Sequence, residues 1–276
     1  MRLSIFQSKK KQTLYLISFS FLVLFVIGAG GFFIGEDTLG IHLDNKNNAP
    51  SFVHPFGTDW LGRDMLARTL KGLSLSMSVG LVAAFTSTII ALLLSMLATW
   101  NKFFDRIVTG LIDLFLSVPH IVILLLISFA FGGGYKGVII GLALTHWPSL
   151  TRVLRAEMLQ IKSLEYVNIS RQFGKSKLWI ARHHLLPHVL PQLFVGALLL
   201  FPHAILHEAA ITFLGFGLPA EQPAIGIILS ESMRYLSIGL WWLAFFPGLC
   251  LLIMVGLFDL LGKNLQTYFD PFHSRK

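Results

Sequence analysis

The chain has 276 residues, 54% of them hydrophobic and only 13% charged, against roughly 25% charged in soluble proteins. With a mean hydropathy of +0.70, this excludes a large soluble core and argues for an integral membrane protein. The net charge of +8 comes from basic residues beside apolar runs, which reads as membrane orientation and not as nucleic-acid binding. The single cysteine, Cys250, excludes a disulfide framework or a cysteine-ligated zinc site.

Arg2, Lys9, Lys10 and Lys11 precede an apolar run to Gly35 that has no Asp, Glu, Lys or Arg after Lys11. It is too long for the roughly 7–15-residue core of a signal peptide and predicts a retained first span over 13–35. A polar stretch with Glu36, Asp37, Asp44 and Lys46 leads into PFGTDWLGRD at 55–64. There Gly57 and Gly62 permit tight turns, Asp59, Arg63 and Asp64 can pair with one another, and Trp60 suits an outer interface. The segment reads as a structured outer cap.

The second span is expected within 72–101 and the third at about 107–131, holding Asp113 and Pro119. Arg106 and Asp113, seven apart, fit one helix face as a snorkelling ion pair. Gly132, Gly133 and Gly134 predict a turn before a shorter fourth span at about 137–151. The fifth is expected at about 188–214 and the sixth at about 238–261. Between them lies a loop with Pro219 and Pro223 in which Glu231 and Arg234 read as a solvated helical pair. Six spans place both termini on one side. Lys46, Arg63, Arg68, Lys71, Lys136 and Arg234 fall on the outer side, and the other sixteen of the 22 Lys and Arg fall on the inner, which predicts cytoplasmic termini.

Between the fourth and fifth spans lies the most soluble stretch, SLEYVNISRQFGKSKLWIARHHLLP at 163–187. Ser163 is expected to cap a helix with Glu165 in its first turn, Gly174 to end it, and Ser176 to start a second short helix running to Pro187. The result is a basic helix–Gly–helix hairpin suited to docking. Gly174-Lys175-Ser176 resembles the end of a phosphate-binding loop, but Ile169 stands where that motif needs its first glycine, so ATP binding is not expected here.

No catalytic constellation stands out among the ten histidines. His203 and His207, at i and i+4, share a helix face, and Glu208 follows directly. Two readings stand: hydrogen-bonded packing histidines, or the lining of a cation path with His146 as a further member. A metal site on His203 and His207 is the speculative form of the second. An intramembrane metalloenzyme on H-x-x-x-H-E is a different class of function, with the Glu outside the two histidines. An ion-coupled carrier is another, and it predicts internal repeats that the sequence does not show.

GTDWLGRD, DLFLSVP, ALTHWPSLTRVLRAE, EYVNISRQFG followed by HHLLP, and EAAITFLGFG together resemble the permease subunits of dipeptide, oligopeptide and nickel ABC importers. The likeness runs from about residue 55 to Pro271. It implies an all-α polytopic membrane protein of about six spans, the type I ABC importer transmembrane domain, in a bacterial inner membrane. It also implies a second, different permease, two ATPase subunits that use the ATP, a solute-binding protein, and no cofactor or catalysis of this chain's own. On this reading residues 1–72 hold the inner stub, first span and outer cap. Residues 73–265 form a five-helix permease core, and 266–276 a cytoplasmic tail.

In that family the hairpin is the "EAA" loop that inserts into the ATPase. Its pattern is Glu-Ala-Ala, three residues, Gly, nine residues, Ile, one residue, Leu-Pro. Gly174, Leu186 and Pro187 match by position; Asn168, Ile169 and Ser170 replace Glu-Ala-Ala, and His184 replaces the Ile. The resemblance thus implies docking through Glu165, Asn168, Ser170, Gly174, Leu186 and Pro187, without the usual acid. His146-Trp147, His203 and His207 lean towards the nickel-type branch, so the expected solute is a nickel ion, a metal chelate or a short peptide.

Overall fold

The computed structural model describes residues 2–35 and 40–269, with side chains from residue 11 to 268. Glu36, Asp37, Arg275 and Lys276, and the side chains of Arg2, Lys9 and Lys10, lie outside the described residues. The helices are α1 (Arg2–Phe33), α2 (Met65–Ala98), α3 (Lys102–Ser117), α4 (His120–Ala130), α5 (Gly134–Thr145), α6 (Trp147–Lys162), α7 (Glu165–Gln172), α8 (Lys177–Ile180), α9 (Leu186–Phe213), α10 (Ile225–Leu236) and α11 (Trp242–Phe269). Among the described residues β pairing amounts to one isolated bridge, Thr58 to Asp64.

By length and composition, four helical stretches can cross a bilayer: Lys11–Phe33, Met65–Ala98, Lys177–Phe213 and Trp242–Tyr268. A fifth arises if α3 and α4, bent by 101°, are one broken span. The sequence-predicted third span is therefore two helices. Val118 is extended at φ −99°, ψ 139°, the backbone that the following Pro119 imposes. The predicted fourth span is also divided, because α5 ends at Thr145 and α6 begins at Trp147 with Pro148 in its first turn. Both interruptions free backbone polar groups, which a bilayer tolerates only where they are buried in protein or line a wet cavity.

Helix α2 is the central post. Gly72, Ser76, Gly80, Ala84, Ser87, Ala91, Ser95 and Ala98 recur every three or four residues and are buried, so neighbouring helices approach its backbone closely. A Cβ on Gly72 would lie 2.5 Å from the Pro223 carbonyl oxygen, and one on Gly80 would lie 2.8 Å from Ile205 of α9. The Ser87 hydroxyl donates to the Ala143 carbonyl at 2.7 Å, tying α2 to the end of α5. Ser74 donates to Gly28 at 3.1 Å and fixes α1 against the same post. Larger side chains fill the rest of the core, as where Phe201 of α9 meets Phe258 of α11 edge to face at 4.2 Å. Phe19, Phe25, Leu81, Phe85, Leu126 and Leu252 point outward, as expected of a helix bundle whose surface does not face water.

Candidate functional site

The hairpin at 163–187 forms as a helix–Gly–helix unit, with two corrections. Ser163 does not cap α7; it closes α6, its hydroxyl donating to Gln160 at 2.7 Å, and the uncapped Leu164 precedes α7. Gly174 ends α7 at φ +76°, with the Lys175 N–H reaching the Ser170 carbonyl at 3.1 Å, a left-handed helix end that glycine adopts without strain. Ser176 caps α8 by accepting from the Trp179 N–H at 3.2 Å. The second helix does not stop at Pro187. It widens to a π turn over Ala181–Leu185 and continues as α9, a rod from Lys177 to Phe213. A proline ring would clash with the His183 carbonyl in a regular α turn, and the wider turn relieves this.

Two departures from the expected loop pattern, Ser170 and His184, touch each other: Oγ to Nε2 is 2.9 Å. Since Ser170 Oγ–H donates to the Tyr166 carbonyl at 3.0 Å, it accepts from His184 Nε2–H. Tyr166 and Trp179 flank the imidazole edge to face at 5.2 and 5.3 Å. Asn168 is exposed, within 3.4 Å of Arg171, and Glu165 lies exposed in the first turn of α7. The hairpin is anchored to the C-terminal end of α2 by Lys177, which donates to the Trp100 carbonyl at 3.3 Å, and beside it Lys162 donates to the Thr99 carbonyl. Burial lowers the Lys162 pKa. Arg155 pairs with Asp105 at 2.6 and 2.8 Å, which raises the Arg155 pKa and joins α6 to α3. Asp113 pairs across the same helices with Arg152 at 3.4 Å and not with Arg106 along α3.

At the opposite end of α2, Asp59 is 2% exposed. It accepts from the Leu61 and Arg63 backbone N–H groups at 2.9 Å, from Arg63 Nε at 2.7 Å and from Arg68 at 2.8 Å. Arg68, 4% exposed, also donates to Glu231 of α10 at 3.0 Å. Glu231 is thus not a solvated partner of Arg234 but the clasp between α10 and the cap. Asp64 stands apart from this pairing: it caps α2 through the Ala67 N–H at 2.8 Å and holds His54 at 2.7 Å. Gly57 and Gly62 have φ of +72° and +74°, and a Cβ on Gly62 would sit 1.8 Å from the His42 carbonyl. A cavity of about 680 Å³ opens beside this cap, with Trp60, Leu218, Glu231, Arg234 and Tyr235 among its walls.

Deeper in the helix bundle, the structure divides the histidine candidates. His146 and His207 meet, Nε2 to Nδ1 at 3.3 Å, and His120 packs on both with ring centroids at 4.6 and 4.2 Å. The exposed His203 contributes its carbonyl, which accepts from His207 Nδ1 at 2.8 Å, and its ring is outside the cluster. Glu208 turns away into the core, fully buried, and accepts from Thr212 at 2.9 Å. Adjacent residues of an α-helix point about 100° apart, so the H-x-x-x-H-E run does not converge on one centre.

The model of the family described as "Binding-protein-dependent transport system inner membrane component" matches residues 87–275. The chain belongs to that family. It is a permease subunit of an ABC importer and a multi-pass inner membrane protein. It is 35% identical over 222 residues to a putative peptide transport system permease protein of Brucella suis biovar 1, covering 80% of this chain and 75% of the relative. It is 32% identical over 255 residues to the dipeptide transport system permease protein DppC of Bacillus subtilis, covering 92% and 80%. The structure resembles the MetNI methionine ABC transporter in inward-facing conformations, with a TM-score of 0.61 at 21% identity. That match covers 75% of this chain and 98% of the other. The fold is the type I ABC importer transmembrane domain.

Three residues of this permease escaped the sequence reading as site members. Arg68 and Glu231 are 163 positions apart, and no local pattern joins them. His120 follows Pro119 and looked like part of a continuous span. The helix break that turns its ring towards His146 is visible in sequence only as a proline.

Proposed function

We propose that this permease is one half of a heterodimeric pore in an ATP-driven importer, with its termini and the 163–187 hairpin in the cytoplasm. Two ATPase subunits hydrolyse ATP beneath it, and a solute-binding protein delivers the solute from outside. The chain itself does no catalysis and holds no cofactor. The observation that carries this reading is the helical rod Lys177–Phe213. Its inner end is half of the hairpin, and its far part carries His207 between the broken helices, so a displacement imposed on α7 and α8 is delivered as a lever to the path. Glu165, Asn168, Ser170 and Gly174 form the docking face, while Leu186 and Pro187 fix where the rod leaves it. Hydrogen-bonding Asn168 replaces the usual acid, and the matching ATPase surface needs no cation opposite it. The outer cap of Gly57, Asp59, Gly62, Arg63 and Asp64 is the landing platform for the binding protein.

The solute is a short peptide or peptide-like compound, in keeping with the relatives named as peptide and dipeptide permeases. A second reading, a nickel ion or metal chelate, is favoured by the histidine cluster at the helix breaks, with His146 and His207 on the path and His203 and Glu208 outside the cluster. Replacement of Gly174 by Val tests the coupling. A β-branched residue at φ +76° costs at least ~1–2 kcal/mol and re-aims α8. Transport and solute-stimulated ATPase activity should be lost in the assembled importer, while the thermal stability of the spans is kept. Normal coupling in this variant would remove the hairpin from the mechanism.

A further inference from the structure

The two interrupted helices break at the same depth. α4 starts at His120, and α5 gives way to α6 at His146. The neighbours of these breaks lie against the middle of α2: Ser87 holds Ala143, and Gly80 receives Ile205, two residues before His207. Three imidazoles from three separate elements therefore converge within the bundle, with one ring nitrogen of each within 4.8 Å of the others. Nitrogens bound tetrahedrally at about 2.0–2.1 Å from a metal stand about 3.3–3.4 Å apart. The His146 and His207 rings already approach to 3.3 Å, Nε2 to Nδ1, and with one nitrogen of each ring within 4.8 Å of the others, rotation of the imidazoles is what closing on an ion requires.

The hydrogen bonds behind the rings point the same way. His146 Nδ1–H donates to the Leu142 carbonyl at 2.9 Å, and His207 Nδ1–H donates to the His203 carbonyl at 2.8 Å. Each leaves an Nε2 lone pair free, the arrangement by which metal-ligating histidines are oriented. His120 Nδ1 is buried with no hydrogen-bond partner, a cost of about 1–3 kcal/mol that a cluster serving only to pack has no reason to carry. The donor set holds no carboxylate. Three neutral imidazoles suit Zn²⁺, Ni²⁺, Co²⁺ or Cu²⁺ and not the hard ions Mg²⁺ or Ca²⁺.

We propose that His120, His146 and His207 form a transit site for a divalent transition-metal ion, carried alone or as a chelate that fills the remaining coordination positions. The site rests on the importer reading for its role, since its ion is cargo. It departs from the pairing of His203 with His207 by taking His120 as the third ligand and leaving His203 out.

The importer complex, recovered in detergent through a tag on this chain, is titrated with Co²⁺ alone and with Co²⁺ pre-complexed to free histidine. The visible d–d bands of nitrogen-ligated Co²⁺ are the readout. One equivalent should bind, with affinity weakened at least ~10–100-fold in His120→Gln, His146→Gln and His207→Gln, and unchanged in His203→Gln. Binding in both arms identifies the ion as the cargo, and binding only from the complex identifies a chelate. If a Gln variant fails to assemble, His207→Cys replaces it, and a thiolate-to-cobalt charge-transfer band then supports the site. Absence of binding in both arms overturns the site, as does equal loss in His203→Gln or no loss in His120→Gln. Those outcomes leave the hairpin reading standing, because coupling in Gly174→Val is measured separately. Conversely, normal coupling in Gly174→Val with intact Co²⁺ binding overturns the hairpin reading alone.

Discussion

Removal of the Asp59 carboxylate is the sharpest test of how the cap at 55–64 is held. Asp59, 2% exposed, collects two backbone N–H groups and two guanidinium contacts, and Arg68, 4% exposed, is shared between Asp59 and Glu231. Asp59→Ala leaves Arg68 buried with one acceptor in place of two and strands the Leu61 and Arg63 amides. Breaking a buried ion pair from one side costs about 3–5 kcal/mol. Glu231 still faces Arg68, which argues for the lower half of that range. Arg68→Met alone should cost less, because Arg63 and both amides continue to satisfy Asp59. The double variant Asp59→Ala/Arg68→Met should cost less than the sum of the singles, with a coupling of about 1–3 kcal/mol, as expected for contacting residues. The assay is equilibrium unfolding of the purified chain in mixed detergent micelles, followed by tryptophan fluorescence. Trp60, stacked on Tyr235 at 6.3 Å, serves as a local reporter. Singles that each cost below about 1 kcal/mol, or strictly additive effects, would refute the claim that this network clasps α10 to α2.

Two further outcomes follow from close packing and from the hairpin. Gly226→Ala should lower the thermal midpoint by the equivalent of about 1–3 kcal/mol, although alanine usually favours a helix by up to ~1 kcal/mol. Its Cβ would meet the Ala209 carbonyl at 2.4 Å and the Phe213 nitrogen at 2.9 Å, and backbone cannot yield as a side chain does; an unchanged or raised midpoint in a thermal melt contradicts this. Ser170→Ala and His184→Ile should each destabilise the hairpin by about 0.5–1.5 kcal/mol, while the double change restores near-normal protease resistance of the 163–187 loop. Two additive losses would show that the pair is not one unit.

The first, second, fifth and sixth spans, the turn at 132–134, the glycine end at 174 and the Ser176 cap were legible in the sequence because each depends on local chemistry. Hydropathy over a run of about 20 residues, a positive φ that only glycine accepts easily, or a hydroxyl three residues from an N–H is sufficient for each. The motif order from GTDWLGRD to EAAITFLGFG was enough to reach the family. What the sequence did not disclose depends on where separate elements meet. Pro119 and Pro148 marked possible interruptions, yet only the folded bundle determined that both breaks share a depth and face α9. Helix phase then turned His207 towards His120 and His146 and sent Glu208 into the core. Asp113 found Arg152, and Glu231 found Arg63 and Arg68, because opposite charges pair with whatever the tertiary packing brings within 4 Å. Sequence spacing along one helix does not contain that information. The sequence by itself determined a basic hairpin between membrane spans; the tertiary structure made the second half of that hairpin the N-terminal end of one continuous rod, because the π turn at Ala181–Leu185 carries the helix through Pro187.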